Sequence, residues 1–129
     1  MPESTIISNS NTKTHQVTEA FTGQVLSNIM HLDKAAGIAS VTFTPCARTH
    51  WHTHVEGQMI HVLSGSGWIC DKGGKARRIR AGDTIWASPG TTHWHGADNE
   101  SVMTHLVMVT GGTNWHEPVT DAEYAQREE

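Results

Sequence analysis

Between Gly23 and Thr110 the chain alternates short runs of β-branched and aromatic residues with clusters of turn formers. The runs are "QVLSNI" (24–29), "IASVTFT" (38–44), "THWHTH" (49–54), "QMIHVL" (58–63), "GWICD" (67–71), "ARRIR" (76–80), "DTIWAS" (83–88), "THWHGA" (92–97) and "SVMTHLVMVT" (101–110). Their make-up and length predict β-strands. Between them stand "TPCA", "SGSG", "KGG", "AGD", "SPGT" and "ADNE", each a turn by composition. No stretch in this region holds an apolar period of helical spacing. Many short strands must close on themselves or stack in two layers to bury their apolar faces and hide their edges. The pattern therefore predicts an all-β fold, a barrel or a jelly-roll sandwich.

The flanks read differently. Residues 1–22 are polar and aperiodic, a loose lead-in with room for one short edge strand. Residues 111–129 form a tail in which "TDAEYAQREE" opens with Thr120 and Glu123 in capping-box spacing, which predicts one short C-terminal helix. The whole, residues 1–129, is the size of one domain with a barrel over 23–110.

Composition removes several classes of function. Net charge is −4, and "KARRIR" (75–80) is one short basic run rather than a face, so no nucleic-acid partner is expected. No apolar run approaches a membrane span, and the start lacks a cationic stretch followed by an apolar one, so a cytoplasmic protein is expected. Cys46 and Cys70 lack CxxC spacing and read as two free thiols.

Histidine use is far from ordinary: there are ten, and six fall in two tight clusters plus His105. Side chains at i and i+2 of a strand share a face, so a regular strand puts His50, His52 and His54 together, and likewise His93 and His95. Neutral imidazole is the commonest side-chain metal ligand and is poorly accommodated alone in an apolar interior. Two alternate histidines supply donor nitrogens at about the 3 Å separation that metal–nitrogen bonds near 2.1 Å require. A third histidine from another strand and an oxygen donor complete a four-ligand site open to water or substrate. Glu56 and Gln58 are the rival oxygens. His15, His31 and His116 read as surface residues, and His61 fits core or solvent equally.

The segment "PCARTHWHTHVEGQMIHVLSG" (45–65) resembles the first motif of the cupin family, with His52 and His54 in HxH spacing, Gln58 after three residues and Gly65 after six more. "GDTIWASPGTTHWHGA" (82–97) resembles the second, through Gly82, Pro89-Gly90 and His93. Three positions depart from the pattern: Gln58 stands where most members have Glu, Cys46 where the turn usually has Gly, and Ala97 where many have Asn. The stretches "SVTFTPCARTHWHTH", "GWICDKGG", "SPGTTHWHGA", "MTHLVM" and "VTDAEYA" further resemble small bacterial single-domain cupins that act as manganese-dependent hydroxynitrile lyases, and relatives described as carboxymuconolactone-decarboxylase-like.

That resemblance implies a cupin jelly-roll barrel, a metal held by His52, His54, Gln58 and His93, a small-molecule substrate and a homodimer or homotetramer. It implies Mn²⁺, whereas imidazole ligation alone equally suits Fe²⁺, Zn²⁺ or Ni²⁺. A neutral amide in place of carboxylate leaves the full divalent charge on the ion, which leans toward polarising a substrate oxygen. The expected function is a metal-dependent lyase on a small oxygenated substrate, in its sharp form a hydroxynitrile lyase. A non-haem dioxygenase and a non-catalytic binding module are the alternatives. His95 and His105 are the candidate catalytic residues, because an imidazole beside a Lewis acid can handle a proton as cyanide leaves; the competing role is to orient ligands. The tryptophans at 51, 68, 86 and 94 are expected to pack, "IASVTF" to line a modest pocket, and Arg48 to close the barrel.

Overall fold

The computed structural model describes residues 3–8 and 13–128; the ends of the chain and residues 9–12 of the lead-in lie outside the described residues. Among the described residues twelve strands run in chain order: β1 (Thr14–Val17), β2 (Phe21–Thr22), β3 (Val25–Leu32), β4 (Gly37–Phe43), β5 (Arg48–Thr49), β6 (His52–His54), β7 (Gln58–Asp71), β8 (Arg77–Arg80), β9 (Thr84–Ala87), β10 (His93–Ala97), β11 (Met103–Val109) and β12 (Thr113–Trp115). One helix, α1 (Asp121–Tyr124), follows. All strand pairings are antiparallel. They form a nearly closed jelly-roll barrel, the fold class expected. No helix is long and apolar enough to cross a membrane among the described residues.

Strand β7 builds the barrel by belonging to both layers. Its first half pairs with β9 and β11, giving a sheet ordered β1-β3-β4-β11-β7-β9. Its second half pairs with β8 and β10 in the opposing layer. The sequence suggests two strands, 58–63 and 67–71, broken by a turn at "SGSG". Instead one 14-residue strand runs through. Gly65 carries the corner: its φ is +76°, and a Cβ there would meet the Val102 carbonyl oxygen at 1.8 Å. The glycines mark a bend within a ladder, because Ser64, Gly65, Ser66 and Gly67 all keep cross-strand partners.

The opposite correction applies to "THWHTH", which the sequence suggests is one strand. It is interrupted after Thr49, and the register against β10 slips by one residue between the Arg48–Gly96 and His52–His93 pairs. The His50 amide instead donates to the Ala20 carbonyl, and the Trp51 amide to that of Glu117. This bulge switches face parity. Thr49, His52 and His54 consequently point inward, and His50 does not join them.

The core lies between the layers. Val25, Val41, Phe43, Ile60, Val62, Ile69, Ile79 and Met103 are buried there. A second cluster of Trp51, Trp68, Trp94, Val119 and Tyr124 fastens the C-terminal segment to the outside of the second layer. Arg48 is buried within that fastening, its Nη2 donating to the Val119 carbonyl at 2.9 Å and to Asp121 Oδ1 at 2.8 Å. Helix α1 has the expected capping box, with Thr120 Oγ1 accepting the Glu123 amide at 3.1 Å and Glu123 Oε1 accepting the Thr120 amide at 3.0 Å. Packing is the role found for Trp51, Trp68 and Trp94, whereas Trp86 stands exposed on β9.

Candidate metal centre

The short strand β6 lies between β10 and β12. Its alternation of buried, half-buried and buried puts His52 and His54 inward, with Thr53 turned out. The turn that follows closes on Gly57 at φ +93°, and β7 begins at once with Gln58, buried and inward. Glu56 stays exposed at the hairpin tip, its carboxylate against Gly111, and does not reach the interior. Strand β10 contributes His93 opposite His52, then His95 two residues on. Strand β11 contributes His105, which pairs with Val41 and Val62.

All six of these side chains are buried. The ring centroids of His52 and His93 are 4.3 Å apart, and those of His52 and His54 are 4.9 Å apart. The tightest set of ligand nitrogens is drawn from His52, His93 and His95, all within 4.8 Å of one another. His54 stands wider, 5.7 Å from His93 between centroids. His95 is thus nearer the centre than the motif spacing suggests, and His54 nearer the mouth.

Each expected histidine ligand has one nitrogen occupied from behind. His52 Nδ1 donates to the His50 carbonyl at 2.9 Å, and His93 Nδ1 donates to the Thr91 carbonyl at 3.1 Å. His54 Nδ1 lies 2.9 Å from Thr113 Oγ1. A carbonyl can only accept, so Nε2 of His52 and His93 carries the free lone pair in the neutral ring, aimed inward. The Nε2 atoms of His52 and His54 are buried without any hydrogen-bond partner. His93 Nε2 faces Gln58 Oε1 at 3.1 Å. Both facing atoms are then acceptors, and a cation accepting from both relieves the clash. Turning the amide would also satisfy His93, but would leave the two orphaned nitrogens as they are. The donor set therefore fits a divalent metal bound by nitrogen and a neutral oxygen.

Electrostatics keep these rings in the ligating form. Burial, followed by the neighbouring His93 ring, pulls His52 down to about 3 and His54 to about 4. Burial likewise lowers His93 and His95, and takes His105 to about 4. All are uncharged near neutrality.

His95 and His105 form a pair of their own, His105 Nε2 lying 2.9 Å from His95 Nδ1. His95 Nε2 is buried without a partner on the side of the other imidazoles. The Phe43 ring sets its edge against both, with centroids 5.9 Å from His95 and 5.0 Å from His105. Thr49 Oγ1 accepts the His95 amide at 3.2 Å and fixes β5 beside β10. His61 turns away and bonds Thr84 Oγ1 at 2.8 Å.

His52, His54, His95 and His105, with Gln58, floor a cavity of about 160 Å³ whose walls are Phe21, Val41, Phe43, Val107, Val109 and Trp115. Sequence reasoning foresaw the β4 wall, but missed Phe21, Thr113 and Trp115. These lie in the flanks, on two- and three-residue strands too short to show a period. Trp115 is the more consequential omission: it is paired with His52 and covers that ring at 4.7 Å between centroids.

Comparison with known proteins bears on this site. A family model described as the cupin domain matches residues 39–110. An (R)-mandelonitrile lyase of Granulicella tundricola is 49% identical over 90 residues, 67% of this chain and 69% of that protein. A cupin-like protein from Thermotoga maritima has a similar structure, with a TM-score of 0.82 and 33% identity over 84% of this chain and 89% of that one. A polyketide cyclase from Streptomyces resistomycificus shares the fold at a TM-score of 0.75 and 16% identity, covering 95% of this chain and 89% of that one.

Proposed function

The chain belongs to the cupin family, and from that premise we propose that it is a metal-dependent lyase acting on a small oxygenated substrate. In its sharp form the reading is a hydroxynitrile lyase that splits a cyanohydrin into an aldehyde and hydrogen cyanide. One observation carries it: unpartnered imidazole nitrogens converge with a neutral amide oxygen at the floor of an apolar cavity, with a second, hydrogen-bonded imidazole pair alongside. The 49% identity to a mandelonitrile lyase supports the choice of reaction.

His52, His54, Gln58 and His93 would hold the ion, Mn²⁺ in first place, with Fe²⁺, Zn²⁺ or Ni²⁺ suited to the same donors. Bound there it would supply a Lewis acid of undiminished 2+ charge, since all four donors are neutral. The rest falls to the chain's own side chains. The walls of Phe21, Val41, Phe43 and Trp115 bury the substituent on the carbinol carbon and keep water from the reacting atoms. His95 donates its Nδ1–H to His105 Nε2, which leaves the Nε2 lone pair free to take the hydroxyl proton. The carbon–carbon bond to the nitrile then breaks, its electrons leave with cyanide, and the aldehyde C=O forms. The proton returns from His95 Nε2 to cyanide, so the products are aldehyde and HCN with no other reagent consumed. The small cavity suits a substrate with a single ring or short chain.

The test is aldehyde release from mandelonitrile by protein loaded in turn with Mn²⁺, Fe²⁺, Zn²⁺ and Ni²⁺. Release above the buffer rate that depends on the ion supports the reading. Stoichiometric metal with no release from mandelonitrile or aliphatic cyanohydrins overturns it.

A further inference from the structure

Register across β3, β4 and β11 sets four rows of side chains on the inner face of that sheet: Val25–Phe43–Met103, Ser27–Val41–His105, Ile29–Ala39–Val107 and Leu32–Gly37–Val109. The first two rows are buried. In the last two, exposure rises to 49% at Ile29 and 74% at Leu32, so the opposing layer does not cover this end. A one-residue bulge at Met30 decides what the end presents. Regular alternation from Val25 would put His31 in the fourth row; the bulge turns His31 out and Leu32 in. Ile29, Leu32, Gly37, Ala39, Val107 and Val109 line a hollow of about 150 Å³ there. The imidazole at its border is already engaged, His31 Nε2 donating to Asp33 Oδ2 at 2.8 Å. Val107 and Val109 also wall the histidine cavity, so the two spaces adjoin along β11.

We propose that this hollow binds the far end of a linear hydrocarbon tail on the substrate, whose reacting end lies in the histidine cavity; the identity of that reacting end rests on the lyase reading above. Size favours one divided site over two separate ones. Either space alone falls below the roughly 300 Å³ at which small-molecule sites begin, and joined they reach it. Position selects a long substituent. From His105 to Val109, β11 rises about 14 Å, so a single ring or short chain fills the cavity and stops short of the hollow, whereas a linear tail runs on along Val107 into it. Chemistry selects hydrocarbon. The six lining residues are aliphatic or glycine and present no charge and no free side-chain donor. A peptide segment laid on the same surface would bring backbone N–H and C=O groups against a sheet face that has no partners for them. An alkyl tail brings none, and it removes the exposed flanks of Ile29 and Leu32 from water.

The test is titration of the Mn²⁺-loaded full chain with 1-butanol, 1-hexanol, 1-octanol and 1-decanol, followed by tryptophan emission, since Trp115 lines the cavity. These alcohols keep a hydroxyl at one end and cannot react. Affinity is expected to rise at least about twofold per added methylene through 1-decanol, half of the roughly fourfold for full burial because the hollow is open on one side. Gly37→Phe fills the hollow without backbone strain: an added Cβ meets Leu32 Cδ1 and Val109 Cγ2 at 3.5 Å, ordinary contact. It should weaken 1-decanol at least about tenfold and leave 1-butanol unchanged. Leu32→Asn, at a position too exposed to disturb folding, should weaken 1-decanol about threefold and decides the matter if Gly37→Phe does not fold. Affinity that is flat beyond 1-hexanol overturns the proposal, and is what a hollow covered by a protein segment would give. A chain-length gain that survives both substitutions overturns it too. Binding is read without turnover, so indifference to chain length would sink the tail site with the lyase reading intact, and absence of aldehyde release from cyanohydrins would sink that reading with the tail site intact.

Discussion

His52 on β6 and His93 on β10 are direct antiparallel partners, two buried imidazoles whose centroids are 4.3 Å apart. Each is held from behind by a backbone carbonyl, so neither ring can turn its free nitrogen outward without breaking a hydrogen bond. An unpartnered buried polar group costs about 1–3 kcal/mol, and His52 and His54, whose ring centroids are 4.9 Å apart, each carry one such nitrogen. Such an arrangement stores instability that an added ion relieves. This ties fold to site: the bulge at His50–Trp51 that brings His52 inward also assembles the binding set.

Metal content should follow these donors. His52→Ala is expected to lose stoichiometric divalent metal after loading and desalting, read by elemental analysis. Gln58→Glu should bind the ion more tightly, because carboxylate adds a negative charge, and should turn over more slowly, by about tenfold or more, because that charge weakens the Lewis acid. Equal turnover in the Gln58→Glu protein would show that the uncharged donor has no catalytic consequence.

His95 and His105 are separable by kinetics. His95→Ala should lower kcat by about 10²- to 10⁴-fold, the usual contribution of a general acid–base group, with bound metal unchanged. Lost metal would instead make His95 a ligand, as its place in the tightest nitrogen set allows. His105 acts through His95, so His105→Phe should lower kcat by about 10- to 100-fold, leave KM unchanged and alter the pH–rate profile. His105→Gln, which restores an acceptor for the His95 Nδ1–H, should recover most of the loss.

Acid should destabilise the metal-free protein from near neutrality downward. Burial holds His105 at about 4, whereas an unfolded histidine titrates near 6.5. Between these values the unfolded chain binds a proton that the folded chain refuses. The stability is therefore complete above about pH 6.5 and is lost as pH falls toward 4, by up to about 1.4 kcal/mol per pH unit for this one group. His52 and His54, at about 3 and about 4, act with the same sign. The Tm of chelated protein should drop between about pH 7 and about pH 5, and His105→Phe should make that decline shallower. A Tm flat over the interval would mean that the rings are not held neutral.

Much of this was legible in the chain, for identifiable reasons. Strand composition announces β4, β10 and β11, and the two motifs mark the segments that carry His52, His54, Gln58 and His93, but not the close approach of His95 to His52 and His93. Parity across the "THWHTH" run was not legible, because the bulge depends on hydrogen bonds that His50 and Trp51 make to Ala20 and Glu117, distant in sequence. Trp115 was hidden for a similar reason: its three-residue strand exists only because β6 has a free edge. Composition also misled, since serine and glycine in "SGSG" look the same in a turn as in a bent strand.

That last ambiguity yields the sharpest test of the fold. Gly65 must occupy a left-handed conformation and leave room for the Val102 carbonyl, which a Cβ would approach to 1.8 Å. The obstacle is backbone, so no side chain can move aside to relieve it. Gly65→Ala should therefore cost well over the ~1 kcal/mol of an ordinary strand substitution, since strained φ and displacement of β11 add together. Because β7 carries Gln58 on one side of the corner and pairs with His93 and His95 on the other, the same change should also weaken metal binding. Gly73, with φ +90° and nothing within 4 Å of its added Cβ, is the control: Gly73→Ala pays only for conformation, about 1 kcal/mol. Urea denaturation of both variants decides it. If Gly65→Ala unfolds at the same midpoint as Gly73→Ala, β7 is not a rigid bridge between the two layers.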